Sequence, residues 1–434
     1  MPPSSDLQLA RALGRLDLTA FAVNRVIGGG IFGIPAVLYL AAGPSSVGAV
    51  LLAGVVVLGI TLCFAEVGGA FRETGGPYLY AREVFGPAVG FEVGWLMWVT
   101  QLGGFAAVTN LFVDYAGWFA PALAGGVGRI AIITAIAASL TVLNIRGVRR
   151  AAIVNNLLTA AKLVPLVLFV LLGLFSVDAA LLVPSEPPGP AALAGAVLLA
   201  IYAYSGFEVL GVPSGEARDP ERSVPFALLA GLGVVALVYV GVQVVAVGTL
   251  PDLGSSARPL ADAAERTLGP AGAWIMVIGA LLSTFGVAHA IVLGAGRMPF
   301  AMAEQGQLPR ALAAVHPRFQ TPHVGLLVSG AAMFLFTAVT TFGSALSITV
   351  GLRVIIYVVT CATLPVLRRR RGGPPPGFAA PGGTLLAAAC IVVGLGLLAS
   401  RPWGDIIQLA AVLAVGGVAW LAGGSVRPRD PNPD

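Results

Sequence analysis

Stretches of about twenty apolar residues, the helix length needed to cross a hydrocarbon core of ~30 Å, recur in this chain from Leu18 almost to its C-terminal end. Backbone polar groups inside a bilayer must be satisfied within the segment that carries them or closed into a barrel, so apolar runs of this length fold as helices. With 57% hydrophobic and 10% charged residues in 434, no length of chain is left for a separate soluble domain, and the class is integral membrane protein. Twelve spans are expected, at 17–42, 45–70, 84–118, 126–145, 150–175, 191–217, 225–250, 270–300, 323–342, 344–367, 383–400 and 403–423.

Arg11 and Arg15 precede the first apolar stretch as in a secretory signal, but no small-residue cleavage site follows and the stretch continues past Pro35 to Leu40, so it reads as the first span. The arginines then set orientation. Eighteen fall in segments on the side of the N-terminus, among them Arg72, Arg82, Arg146, Arg149, Arg150, Arg218, Arg222, Arg297, Arg310, Arg318, the run Arg368 to Arg371, Arg427 and Arg429. The opposite side holds Arg129, Arg258, Arg266 and Arg401. This positive-inside bias places both termini in the cytoplasm and the chain, multi-pass, in a bacterial inner (plasma) membrane. It also accounts for the formal charge of +5, since the basic residues are spread between spans rather than gathered on one face as nucleic-acid binding requires. Cys63, Cys361 and Cys390 lie in apolar segments and are odd in number, and His289, His316 and His323 have no metal-ligand spacing, so no metal and no cofactor is expected. A membrane enzyme would need such a cluster, a Ser/His pair or a phosphate loop.

Self-similarity appears twice at nearly one offset. Gly33-Ile34-Pro35 recurs as Gly211-Val212-Pro213, and Gly86-Pro87 as Gly269-Pro270. Two five-span units follow, the second inverted because five is odd. The expected organisation is a cytoplasmic segment 1–16, a first repeat 17–185, a second repeat 186–371, a linker with two further spans over 372–423, and a cytoplasmic tail 424–434.

The interrupted helices occupy matched places in the two units. Span 1 contains Gly28-Gly29-Gly30, each costing ~1 kcal/mol against alanine in a helix, and span 6 contains Tyr204-Ser205-Gly206-Phe207-Glu208 followed by Pro213. Unwound backbone is tolerated in a membrane only inside protein or along a polar cavity. Amides freed at a helix N-terminus attract an anion and carbonyls freed at a C-terminal end attract a cation, so two crossed breaks suit a zwitterion. The competing reading is that the glycines only allow close helix packing. A channel is a further alternative, but paired breaks fit an occluding carrier better than a continuous pore.

Lys162 is the sole lysine beside twenty-four arginines and sits near the middle of span 5. A charge there costs ~2.5–3.5 kcal/mol on insertion scales. Unlike arginine, a desolvated lysine can release its proton, so Lys162 is read as a proton carrier or a fixed surrogate for a bound cation, the alternatives being a lysine that reaches the interface along its stem or pairs permanently with a carboxylate. Glu208 is read either as a contact for substrate, a cationic side chain included, or proton, or as a partner for a freed backbone group. Arg25 is read either as meeting Glu208 or as facing the inner vestibule, and Glu66 as satisfied by Arg72 or Arg82; Glu92 and Arg353 have no assigned role.

Four motifs, in order, resemble the amino acid/polyamine/organocation superfamily of permeases along almost the whole chain. They are Ile27-Gly28-Gly29-Gly30-Ile31-Phe32-Gly33-Ile34-Pro35; Phe64-Ala65-Glu66 through Gly75-Gly76-Pro77-Tyr78 to Gly94-Trp95; Tyr204 to Glu208 with Glu216 and Asp219 to Pro225; and Arg297 through Gly306 to His316-Pro317-Arg318-Phe319-Gln320-Thr321-Pro322. The middle glycine of the first motif stands where serine or alanine is more usual. The resemblance implies an all-α integral membrane fold of twelve helices, a five-plus-five inverted repeat of the LeuT-like kind with helices 1 and 6 broken, and alternating access for amino acids. It implies that the backbone of Gly28 to Ile31 holds the substrate carboxylate and that around Tyr204 to Phe207 holds the amine. It also implies that Lys162 takes the place of a sodium ion, with Ser283 and Thr284 in the helix-8 region that otherwise completes that site. The expected function is sodium-independent, proton-coupled amino acid uptake, with an amino acid or polyamine exchanger as the alternative. The expected partners are the amino acid, protons and the lipid bilayer, with no nucleic acid and a homodimer permitted.

Overall fold

The structure, a computed structural model, describes residues 11–123, 125–256, 258–371, 377–401 and 403–422. The expected cytoplasmic tail 424–434 with Arg427 and Arg429, the start of the N-terminal segment and residues 372–376 of the linker lie outside the described residues.

In chain order the helices are α1 (Arg15–Val26), α2 (Ile34–Ala42), α3 (Ser46–Gly69), α4 (Pro77–Phe85), α5 (Pro87–Phe119), α6 (Gly126–Ile145), α7 (Val148–Gly173) and α8 (Pro190–Ala203). They continue as α9 (Pro220–Thr249), α10 (Pro259–Leu268), α11 (Pro270–Ala295), α12 (Arg297–Glu304), α13 (His323–Val339), α14 (Phe342–Arg371), α15 (Gly383–Ala399) and α16 (Trp403–Ala422). Nine helical segments among the described residues are long and apolar enough to cross a membrane, and α13 and α15 are shorter apolar helices. The expected first span is not one continuous helix: α1 has twelve residues and stops at Val26. Proline opens α4, α5, α8, α9, α10 and α11, a position where its missing N–H has no intrahelical partner to lose and its fixed φ is already helical.

Burial separates an inner set of helices from an outer one. In α5, and in the segment from α11 through α12, 72% of the most apolar window is buried within the protein, against 11% in α16. The long α5 packs between α11 and α14, while α1 packs on α9 and α7 and α3 packs on α9 and α8. Helices buried on all sides are where polar groups at membrane depth can find protein partners instead of lipid. Asn24, Arg25, Gln101, Lys162, Glu208 and Arg297 are all buried there.

One arrangement occurs twice. The short α4 ends at Gly86 (φ 94°, ψ 174°), which opens the long α5. The short α10 ends at Gly269 (φ 72°, ψ −170°), which opens the long α11. The expected spans left 251–269 without a helix; α10 forms there because Leu260, Ala261, Ala263 and Ala264 give it a buried face.

The expected pairing of Glu66 changes. Glu66 pairs with neither Arg72 nor Arg82: both its oxygens accept from Arg368 at 2.6 Å, and Oε2 also accepts from the amide of Ala380. Arg72 instead reaches Glu221. The arginine run continues α14 rather than leaving it, and within it Arg370 donates to the carbonyls of Glu83 and Val84 at the end of α4. Cys63, Cys361 and Cys390, far apart in sequence, have their sulfurs within 4.8 Å of one another among α3, α14 and α15.

Candidate functional site

Both matched segments are unwound. After α1, Ile27 (ψ 90°) and Gly28 (φ −102°, ψ −170°) are extended, a 3-10 turn spans Gly29–Phe32, and α2 resumes at Ile34 with Pro35 in its first turn. The amides of Gly29 and Gly30 head that turn and so have no acceptor inside it; the first internal bond runs from Ile31 N–H to Gly28 C=O. Gly30 is exposed, and a side chain projecting from it would meet only Ile34 of α2 among the described residues.

After α8, the chain turns through Tyr204, Ser205 and Gly206, then forms 3-10 turns at Phe207–Val209 and Val212–Glu216. Gly206 has φ 125°, which side chains with a Cβ rarely adopt, and a Cβ there would stand 2.7 Å from the carbonyl oxygen of Arg25. The two breaks therefore touch through backbone. Gly206→Ala is expected to cost roughly 1–3 kcal/mol of strain and to lower uptake with it. Thermal unfolding of the purified variant checks this, and an unchanged melting temperature would count against the close approach.

Side chains from three other helices tie down the freed carbonyls. Lys162 of α7 is fully buried, and its ammonium donates to Ile27 C=O at 2.6 Å, Asn24 C=O at 3.1 Å and Ser283 C=O at 3.4 Å. The hydroxyl of Ser283 donates to the same Ile27 oxygen at 3.3 Å. No carboxylate is among these partners, so the alternative of a lysine paired to an acid is not the arrangement observed. Thr284 differs: its hydroxyl bonds back to Ala280 and Leu281 of its own helix.

Two contributors were not singled out from sequence. The hydroxyl of Tyr239 lies 3.0 Å from Val26 C=O and 3.1 Å from Ala203 C=O, the last carbonyl of each interrupted helix. The amide of Asn24 donates to Asn155 Oδ1 at 2.7 Å and to Gly286 C=O at 2.9 Å, joining α1, α7 and α11. A tyrosine and an asparagine inside apolar helices are the only sequence signal of either, since buried polar groups need partners.

Glu208 turns back on its own break. Its Oε2 accepts from the amide of Gly206 at 2.8 Å and from Tyr357 at 3.0 Å, and Oε1 lies 3.0 Å from Nε of Arg353. Arg353 also donates to Ser205 Oγ at 2.5 Å, and the ring of Phe207 stacks on Tyr357 with centroids 5.3 Å apart. Of the two readings for Arg25, the bond to Glu208 is not formed: Arg25 donates through Nη2 to Gln101 Oε1 at 2.7 Å. The structure thus gathers Ile27 to Ile31, Lys162, Tyr204 to Glu208 and Ser283, adds Arg353, and leaves Glu66 and Glu92 outside. Glu92 lies against Gly416 and Gly417 of α16.

A chain whose described residues form this many membrane-length helices, two of them interrupted by unwound backbone, belongs to the polytopic membrane transport proteins. Within that class it belongs to the amino acid permease family, whose profile matches residues 13–416. It is 29% identical to a serine/threonine exchanger of Bacillus subtilis over 84% of this chain and 85% of that protein. It is 33% identical to an uncharacterized transporter of Mycobacterium tuberculosis over 76% and 74% of the two chains. To a branched-chain amino acid permease of Bacillus subtilis it is 26% identical over 74% and 73%.

Proposed function

We propose that this protein is a sodium-independent, proton-coupled amino acid transporter working by alternating access, with twelve spans in a five-plus-five inverted repeat and two further helices. The observation that carries the reading is the ammonium of Lys162 held by the carbonyls of Asn24, Ile27 and Ser283. Backbone carbonyls of two helices converging on one point make a cation site, and here a covalently fixed cation fills it, so a sodium ion has no role. The paired α4–Gly86–α5 and α10–Gly269–α11 arrangements support the repeat, and the arginine distribution supports cytoplasmic termini.

In this reading the amides of Gly28 to Ile31 hold the substrate carboxylate, and the backbone around Tyr204 to Phe207 holds its amine. Helix breaks lined by backbone recognise the zwitterion common to amino acids. Glu208 sets the shape of the second break through Gly206 and Arg353 and is less available as an acceptor for substrate. Exchange is the second reading, favoured by the similarity to a serine/threonine exchanger.

Proteoliposome uptake distinguishes these. With sodium replaced by choline, accumulation is expected to be unchanged, and an inward proton gradient is expected to raise it several-fold. Accumulation that follows sodium would overturn sodium independence. Counterflow that needs internal amino acid and ignores the proton gradient would establish exchange.

A further inference from the structure

The region of the breaks carries more positive than negative side chains. Arg25, Lys162 and Arg353 gather there, and among the described residues their hydrogen bonds and ion pairs reach one carboxylate, that of Glu208. Glu208 is engaged with Arg353, Tyr357 and the Gly206 amide, and Lys162 is engaged with three carbonyls.

Among the described residues no carboxylate lies within ion-pair distance of Arg25, and the nearby Glu208 is held by Arg353. Arg25 is 4% exposed. Among the described residues its one side-chain hydrogen bond goes to the neutral amide oxygen of Gln101, and its buried Nε has no hydrogen-bond partner. A buried guanidinium costs several kcal/mol unless a counter-charge and hydrogen bonds offset it, and a carboxylate meets its fork of donors with two parallel bonds.

The position of Arg25 fits the substrate rather than the scaffold. Arg25 is the penultimate residue of α1, separated from the freed amides of Gly29 and Gly30 by Val26 and the extended Ile27 and Gly28, and its own carbonyl oxygen lies at the second break, against Gly206. Gln101, its partner, is one turn from Gly104 on α5, where the guanidinium of Arg353 stands 3.6 Å from the place of a Cβ. Two guanidiniums thus approach neighbouring turns of α5 beside the unwound segments.

We propose that Arg25 forms the side-chain pocket of the substrate site and that the substrate carries a second anionic group, as an amino dicarboxylate does. This rests on the amino acid transport reading above. The α-carboxylate takes the amides of Gly29 and Gly30, and the side-chain carboxylate, two or three carbons away, takes the idle Nε of Arg25. A neutral amide side chain answers the donor but not the charge, and a cationic side chain meets Arg25 and Arg353 with like charge.

The test compares acids with their own amides on the purified full-length protein. Thermal-shift titrations use L-aspartate, L-glutamate, L-asparagine, L-glutamine, L-serine and L-arginine, and proteoliposome competition follows with the same set. At least one acid is expected to bind about tenfold or more tightly than its amide, with L-arginine the weakest. In Arg25→Gln the acid-to-amide ratio is expected to fall to within about threefold. Should that variant fail to fold, Arg25→Lys, which keeps the charge but loses the fork, is expected to give an intermediate ratio, and the wild-type comparison decides by itself. Amides binding as tightly as acids, or an acid preference unchanged in Arg25→Gln, overturns this proposal and leaves amino acid transport standing. Binding of no amino acid at all overturns both.

Discussion

Lys162→Met is expected to lower proteoliposome uptake at least tenfold and to remove whatever part of it depends on pH. An ammonium has three donors, and all three are used, on Ile27, Asn24 and Ser283 carbonyls. Methionine fills similar space but leaves the Asn24 carbonyl without that donor and the Ile27 carbonyl with only the Ser283 hydroxyl, and a carbonyl buried and unpaired at membrane depth costs ~1–3 kcal/mol. The unwound segment of helix 1 then loses the tie that Lys162 makes to α7. A neutral amine has two donors, so loss of one proton frees one carbonyl, and that links protonation to the shape of the break. Lys162→Arg separates the two roles, because arginine keeps its charge through any accessible pH. It is expected to retain part of the fold stability while losing pH dependence. Full, pH-dependent uptake by Lys162→Met would falsify the proton role.

Arg297→Met is expected to have the largest effect on stability. Arg297 and Glu216 are both completely buried. Nη2 donates to Oε1 of Glu216 at 2.7 Å, Nε donates to Oε2, and Nη1 donates to the carbonyl of Leu293. Glu216 ends the 3-10 segment that follows the second break, and its carbonyl accepts from the amide of Leu13 at 2.9 Å. One ion pair therefore holds α12, the end of the broken sixth span and the chain entering α1. Removing one partner of a buried pair costs ~3–5 kcal/mol because the other charge stays buried alone, which is a large part of a typical folding free energy. Arg297→Met is expected to lower the folded yield severely, measured by size-exclusion chromatography after heating in detergent. The double replacement Arg297→Met with Glu216→Met, which leaves no charge unpaired, is expected to recover part of that loss. Equal loss in the single and double variants would mean that the site needs the hydrogen bonds themselves.

The legible features were those that cost free energy locally. A run of apolar residues has few folds open to it in a membrane, so the helical class and most of the helix positions could be read directly. Three glycines inside an apolar span weaken the helix at that point whatever surrounds it, and Val26 is the last residue of α1. The interruption at 204–208 was legible for the same reason, as Gly206 and Glu208 are both out of place in an apolar helix. A single lysine among arginines at mid-span announces itself as a polar group that must face protein.

Partners were not legible. Glu208 takes Arg353 of α14, not Arg25, and Glu66 takes Arg368, 302 residues away. Tyr239 carried no motif, yet its hydroxyl lies between the ends of both interrupted helices. The helix α10 was missed because its buried face is formed by leucine and alanines amid polar residues, a pattern too short to stand above its surroundings.

By itself, then, the sequence determined that this chain crosses a membrane many times, where its helices must weaken, and which buried charges need an answer. Those are properties of residues and their near neighbours, fixed by the cost of a polar group in hydrocarbon and of glycine in a helix. Which group answers each charge was decided only by the tertiary structure. A buried charge accepts any partner of suitable sign and reach, and the choice among them is made by how helices hundreds of residues apart pack against one another. That packing seats Lys162 among carbonyls and leaves Arg25 with a donor unmet among the described residues.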